Sequence, residues 1–240
     1  MSSALRAIER FLLPNRCIAC ERMVEAASPD ALICRVCLTR MRGVHPGCTR
    51  CWQPLPPVGP CRFCAEWTPQ LAHASSAVWL GAEARTVVHF LKYRGCTSLA
   101  SVAAEIMVDR LPRPNGTCLV PIPLGVRRKG RRGYNQAAEV AQALGKAWQL
   151  PVRTDVLVRR RETRSQTALT PEARLANMAQ AFSAAAGNRR APRAILVDDV
   201  LTTGATLDAA AGALGSAGWS GTSAVTFARA LDVEARLMGT

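Results

Sequence analysis

The stretch Ala194-Ile195-Leu196-Val197-Asp198-Asp199-Val200-Leu201-Thr202-Thr203-Gly204-Ala205-Thr206 decides the fold, and the rest of the chain is legible around it. Ala194 to Val197 is a short, apolar, β-branched run, the pattern of a strand buried on both faces of a parallel sheet. Two adjacent carboxylates follow at its C-terminal end, where open α/β sheets place their ligand crevice. A hydroxyl- and glycine-rich turn, Thr202 to Thr206, then leads into the alanine-rich segment Leu207 to Ala217, which predicts a helix. Such a turn at a helix N-terminus offers backbone N–H groups, hydroxyls and the positive end of the helix dipole, which together suit a phosphate. Carboxylates can bond vicinal sugar hydroxyls directly or through the shell of a Mg²⁺ ion. A ribose 5-phosphate satisfies both halves.

The plain alternative is an acidic strand–turn–helix, or a carboxylate pair that binds metals without selectivity. No G-x-x-x-x-G-K-[ST] occurs, which excludes a P-loop, and no G-x-G-x-x-G follows a strand. The ordered run of a hydrophobic strand, Asp-Asp, two apolar residues and Thr-Thr-Gly-x-Thr closely resembles the 5-phosphoribosyl 1-pyrophosphate (PRPP) motif of type I phosphoribosyltransferases.

The 240 residues suffice for one large or two small domains. With 49% apolar and 20% charged residues the chain is globular, and its apolar stretches are far shorter than a membrane span. Met1 to Pro14 is interrupted by Arg6, Glu9 and Arg10 and lacks the core of a signal peptide, so the expected location is cytoplasmic. Net charge is +14. Residues 1–70 hold nine basic and five acidic side chains, or +4; the remaining 22 and 12 give +10. Two clusters concentrate the charge, Arg127-Arg128-Lys129-Gly130-Arg131-Arg132 and Arg159-Arg160-Arg161-Glu162-Thr163-Arg164. They suit an anionic partner, either a pyrophosphate or a nucleic-acid backbone; a solvated basic face is the plain alternative.

Eight of the ten cysteines form four C-x-x-C pairs: Cys17/Cys20, Cys34/Cys37, Cys48/Cys51 and Cys61/Cys64. Each pair can aim two thiolates at one metal, and two pairs complete a closed, structural Cys₄ site. The segment is too poor in large apolar residues to fold on its own core, so metal binding would supply folding energy. Disulfides would need a secreted context. An iron–sulfur cluster would need a compact three-cysteine run that is absent. Two structural zinc ions are therefore expected. Sequential pairing, as two stacked zinc ribbons, closes the shorter loops; interleaved pairing is the alternative. Cys96 and Cys118 stand alone and are expected to be buried thiols.

Composition changes after Cys64, which places a domain boundary near residues 65–75, with residues 1–70 and 71–240 on either side. Beyond it, strands are expected at Ala77–Leu80, Cys118–Pro123, Asp155–Val158 and Thr222–Ala228. Helices are expected at Arg85–Gly95, Ser98–Leu111, from Ala137 to Trp148, and from Thr170-Pro171-Glu172 onward. Strands alternating with helices mean an α/β fold with a parallel sheet covered on both faces.

The whole chain resembles the ComF family, a double zinc ribbon fused to a type I phosphoribosyltransferase domain and linked to DNA uptake in natural competence. The likeness rests on the C-x-x-C pairs, Leu91-Lys92-Tyr93-Arg94-Gly95, Val120-Pro121-Ile122-Pro123, Arg132-Gly133-Tyr134-Asn135-Gln136, Thr163-x-x-Gln166, Arg174-x-x-Asn177 and the Asp198–Thr206 motif. It implies that Asp198 and Asp199 hold the ribose hydroxyls of PRPP. Thr202, Thr203, Gly204, Ala205 and Thr206 would cradle its 5-phosphate, and the turn at Pro121, Ile122 and Pro123 would meet the pyrophosphate. Residues 159–176, with Arg161, Arg164, Gln166 and Arg174, would form a mobile loop that closes over the site and steadies the leaving group. Mg²⁺ would accompany PRPP.

Thr202 stands where purine salvage enzymes carry an acidic residue, which argues against purine salvage. Met1-Ser2-Ser3 offers no N-terminal cysteine of a glutaminase. Two functions remain: a Mg²⁺-dependent phosphoribosyltransferase on an unidentified acceptor, or a non-catalytic PRPP-binding protein that handles single-stranded DNA with other competence proteins. With aromatics only 5% of the chain, no platform for stacked bases is evident.

Overall fold

The structure is a computed structural model that describes residues 16–24, 32–55, 59–160, 181–187 and 192–230. In chain order its elements are α1 (Arg35–Arg40), β1 (Leu71–Trp79), α2 (Ala82–Tyr93), α3 (Leu99–Arg110), β2 (Cys118–Pro121), α4 (Val126–Arg132), α5 (Gln136–Trp148), β3 (Leu157–Arg159), β4 (Phe182–Ala184), β5 (Ala194–Leu201), α6 (Ala205–Ser216) and β6 (Thr222–Arg229). The expected helix from Thr170 onward lies outside the described residues.

Four strands form one sheet in the order β1-β6-β5-β2, and every neighbouring pair is parallel. Ala194 to Val197 are all buried, as a two-sided parallel strand requires. Alternate residues feed two cores. Ile195, Val197, Val225 and Phe227 pack with buried residues of α2, α3 and α5. Ala194, Leu196, Ala224 and Val120 pack with Leu207, Ala210, Ala211 and Leu214 of α6. The helices supply the matching stripes: α2 buries Ala84, Val87, Val88 and Leu91, spaced three or four residues apart. Asn135 caps α5 by accepting the Ala137 N–H.

The strands differ in extent from the pattern. β1 starts at Leu71 rather than Ala77, because pairing with β6 recruits an alanine- and serine-rich segment of weak strand propensity. β3 leaves the main sheet and pairs antiparallel with β4.

The cysteine segment wraps the exposed edge of β1. Trp79 N–H donates to Arg42 O at 2.8 Å, Val44 N–H to Ala77 O at 3.3 Å and Ala74 N–H to Arg50 O at 2.8 Å. This covers an edge that would otherwise present unpaired backbone groups. It also separates the two cysteine groups. Cys17 and Cys37 join the core on the α2/α3 face, whereas Cys48, Cys51 and Cys64 join the core on the α6 face. The two groups thus belong to different cores.

Candidate functional site

The carboxyl end of β5 and the N-terminus of α6 meet at the turn Thr202–Gly204. Gly204 has φ +84°, a left-handed conformation that residues with a Cβ resist. Thr202, Thr203 and Ala205 are exposed and Thr206 is half-buried, so the turn faces solvent. No side chain caps α6 at its N-cap position; Thr203 Oγ1 accepts the Ala205 N–H at a long 3.4 Å. Uncapped N–H groups, hydroxyls and the dipole of a twelve-residue helix could together receive an anion.

The two carboxylates differ. Asp199 is only 3% exposed and is held from two sides: Lys92 Nζ lies 3.0 Å from Oδ1, and Gln136 Nε2 donates to Oδ2 at 3.1 Å. Gln136, itself 4% exposed, accepts from Arg132 Nη1 at 3.0 Å through its Oε1. Asp198 is half-buried, and Asp199 N–H donates to its Oδ1 at 2.8 Å. Burial, then the charge of Asp199, pushes Asp198 up to about 7, while that N–H and the charges of Lys92 and Arg159 act the other way. Asp198 therefore titrates near neutral pH beside a carboxylate already paired with Lys92.

Two sequence motifs prove to be the frame of this pair. Tyr134 O–H donates to Leu91 O, and Asn135 Nδ2 donates to Ile122 O at 3.0 Å. Ile122 N–H donates to Val197 O at 2.9 Å. The Arg132–Gln136 segment thus clamps the end of α2, the Pro121-Ile122-Pro123 turn and Asp199 together. Pro121 and Ile122 are buried in the wall of the site, and Pro123 is half-buried. Arg161, Arg164, Gln166 and Arg174 lie outside the described residues.

Lys92 also lines a neighbouring cleft of about 610 Å³, together with Tyr93, Gly95, Arg128, Arg131, Arg132 and Tyr134. Tyr93 is 65% exposed, with the Arg132 guanidinium 5.0 Å from its ring centroid and the His89 ring at 5.1 Å. Few as the aromatics are, the fold leaves one open beside four cations.

The cysteines fall into two groups, Cys17, Cys20, Cys34, Cys37 and Cys48, Cys51, Cys61, Cys64, with the sulfurs of each within 4.8 Å of one another. This is the sequential pairing. Sγ separations are 3.7 Å for Cys20–Cys34, 3.7 Å for Cys48–Cys64 and 3.6 Å for Cys51–Cys61. A tetrahedron with Zn–S bonds of about 2.3 Å has edges of about 3.8 Å, so both groups could hold zinc.

The electrostatics agree with a cation. Burial opposes ionisation of Cys17, but the Cys34 N–H and other backbone donors outweigh it and bring the thiol down to about 6. Cys48 is likewise brought to about 7 against burial, by N–H groups of Arg50 and Cys51. Burial pushes Cys64 up to about 11 and raises Cys37 and Cys51 as well. A divalent cation at either group would favour the thiolate of the cysteines that burial holds protonated. Beside the second group, Arg229 is fully buried, lies 4.1 Å over the Phe63 ring and donates from Nη1 to Cys51 O. Its Nε and Nη2 have no hydrogen-bond partner among the described residues. Four thiolates around one divalent ion leave two negative charges uncompensated, which would give this buried cation its counter-charge.

Sequence reasoning missed Lys92 and Gln136 as partners of Asp199, and Arg50, Trp67, Thr68, Asp208 and Arg229 as links between the second cysteine group and the site. Lys92 and Gln136 lay inside quoted motifs; the others carried no local signal. Cys118 is buried and Cys96 half-buried. Among the described residues no helix is long and apolar enough to cross a membrane.

The chain is similar to named proteins. It is 30% identical over 209 residues to the DNA utilization protein YhgH of Salmonella typhi, covering 81% of this chain and 88% of that protein. To YhgH of Escherichia coli K12 it is 26% identical over 198 residues, 80% of each. To Competence protein F of Haemophilus influenzae it is 39% identical over 92 residues, which is 38% of this chain and 40% of that protein. No family model matches.

Proposed function

We propose that this chain, which belongs to the ComF family, binds PRPP with Mg²⁺ and transfers or senses its phosphoribosyl group in DNA uptake. The observation that carries the reading is the juxtaposition of the Asp198/Asp199 pair with the uncapped turn Thr202–Thr206. These are the donors and acceptors for a ribose and its 5-phosphate, a few residues apart at one strand end. Asp198, half-open and titrating near pH 7, takes the sugar hydroxyls first. Asp199 joins it by trading Lys92 for the ligand, and Lys92 is then free for the pyrophosphate in the adjoining cleft. Of the carboxylates around this turn, Asp199 is already paired with Lys92 and Asp208 with Thr68. A Mg²⁺ ion therefore fits as a companion of the ligand, most of its oxygens coming from PRPP and water. It would supply neutralisation of the leaving pyrophosphate. In this reading the two cysteine groups hold structural zinc and the protein is cytoplasmic; of the expected mobile loop, residues 159–176, all but Arg159 and Arg160 lie outside the described residues. The link to DNA uptake rests on the names of the relatives.

A second reading is a PRPP-binding protein without transfer that handles single-stranded DNA. The cleft favours it, since an exposed Tyr93 among Lys92, Arg128, Arg131 and Arg132 suits a stacked base flanked by phosphates. Calorimetry with PRPP and Mg²⁺, followed by phosphorus NMR with and without single-stranded DNA, separates the two. Binding with pyrophosphate release establishes transfer. Binding without turnover establishes the second reading, and absence of binding sinks both.

A further inference from the structure

We infer that Trp67 is a positioning residue for the phosphate-binding turn and that the second four-cysteine group holds it in place; the inference rests on the reading of Thr202–Thr206 as a phosphate site. The linkage starts inside a knuckle. Arg50, between Cys48 and Cys51, donates to Cys64 O at 3.0 Å, Trp67 O at 3.2 Å, Thr68 O at 2.6 Å and Leu71 O at 2.9 Å. Its guanidinium also lies 5.8 Å from the Trp67 ring centroid, and Phe63 packs edge-on against that ring at 5.6 Å. The segment from Cys64 to Leu71 is thus gathered around one side chain supplied by a metal-site loop.

That segment then grips the turn at three points. Trp67 Nε1–H donates to Thr203 O at 3.2 Å. The indole lies against Gly204 so closely that a Cβ there would sit 2.3 Å from Trp67 Cζ2. Thr68 bonds the buried Asp208 carboxylate twice, from its N–H at 2.8 Å and its Oγ1–H at 2.7 Å, both to Oδ1. Asp208 lies in the first turn of α6, where a carboxylate favours the N-terminal N–H groups that an anionic ligand would use. Thr68 occupies it instead. Glycine reaches this left-handed conformation freely and could leave it as freely; the indole seated against Gly204 restricts that freedom.

The test uses full-length, zinc-loaded protein and amide hydrogen exchange, which reads the turn with no ligand present. Trp67→Ala and Cys61→Ser are expected to speed exchange across residues 202–208 about tenfold, the scale of a local opening that loses roughly one stabilising contact. Strand amides in 194–200 and 222–229 should keep their wild-type protection. Cys20→Ser, in the first group, should loosen residues 16–40 without moving the turn. Trp67→Phe keeps a ring on Gly204, loses only the N–H donor, and should fall between wild type and Trp67→Ala. Calorimetric affinity for Mg²⁺-PRPP should follow the same order. Unchanged exchange of the turn in Cys61→Ser and Trp67→Phe overturns the inference, even if Trp67→Ala fails to fold; so does equal loosening of the turn by Cys20→Ser. Wild type that binds no PRPP sinks the phosphate reading instead, and the exchange result still decides whether Trp67 positions the turn.

Discussion

The two four-cysteine groups share one spacing pattern and differ in what their knuckles touch. In the first, Cys17-Ile18-Ala19-Cys20 and Cys34-Arg35-Val36-Cys37 bring apolar Ile18 and Ala19 to the α2/α3 core. Near it, Arg110 donates to Met41 O at 2.6 Å and Leu38 O at 3.4 Å. In the second, Cys48-Thr49-Arg50-Cys51 and Cys61-Arg62-Phe63-Cys64 contribute Arg50 and Phe63, which gather Trp67 onto the turn. The cysteines make two equivalent sets of four thiols, each able to hold a metal. The residues between them decide whether a site only anchors the chain or also shapes a ligand pocket.

The comparison breaks outright if the groups hold no metal. Metal analysis should find about two zinc ions per chain. Stripping them should remove folding energy on the order of 10 kcal/mol per site and unfold residues 16–67, seen as lost near-ultraviolet circular dichroism. A metal-free, disulfide-bonded protein with native spectra would end the ribbon reading.

At the site itself, Asp199→Ala leaves Lys92 and Gln136 without their acceptor. Unfolding by denaturant should show a loss of about 3 kcal/mol, the low end for breaking a buried pair because Lys92 keeps some solvent. PRPP binding should vanish in calorimetry; an unchanged Kd would mean that Asp199 is only a structural partner of Lys92.

Arg229→Met sharpens the contrast between the groups. Losing the buried cation beside Cys51, Cys61 and Cys64 should speed zinc release from the second group severalfold in chelator competition. Release from the first should stay at the wild-type rate, and equal acceleration of both would remove the role given to Arg229.

Asp198 gives a gentler, pH-dependent test. Its folded value of about 7 lies above that of an unfolded carboxylate, so the folded state binds the proton more tightly. Its contribution to stability is full below about pH 4 and is lost as pH rises through 7. Asp198→Asn should flatten this part of the stability profile; an unchanged profile would mean the carboxyl titrates normally. The smallest effect belongs to the exposed Arg153–Asp155 pair at 2.9 Å. Asp155→Ala should leave Tm unchanged within error, and a clear drop would show that β3 depends on that pair.

Much of the fold was legible because its signals are local. A β-branched run before Asp198, a glycine able to take positive φ at 204 and apolar residues three and four apart along α2 need no distant partner. The cysteine groups were equally legible, since short loops favour the pairing that forms. The start of β1 at Leu71 was not, because its alanines and serines become a strand only when β6 supplies the ladder.

The sequence by itself determined the parallel α/β core, the carboxylate pair, the threonine- and glycine-rich turn and the two sets of four thiols, all written in contiguous residues of fixed spacing. Only the tertiary structure decided that Lys92 and Gln136 hold Asp199, that Arg229 is buried beside one cysteine group, and that Trp67 lies on Gly204. Those contacts join residues 63 to 178 positions apart; a single Lys, Arg or Trp has no periodicity to announce its partner. Their pairing follows from how β1, β5 and β6 are ordered in the sheet and from the cysteine segment crossing its edge.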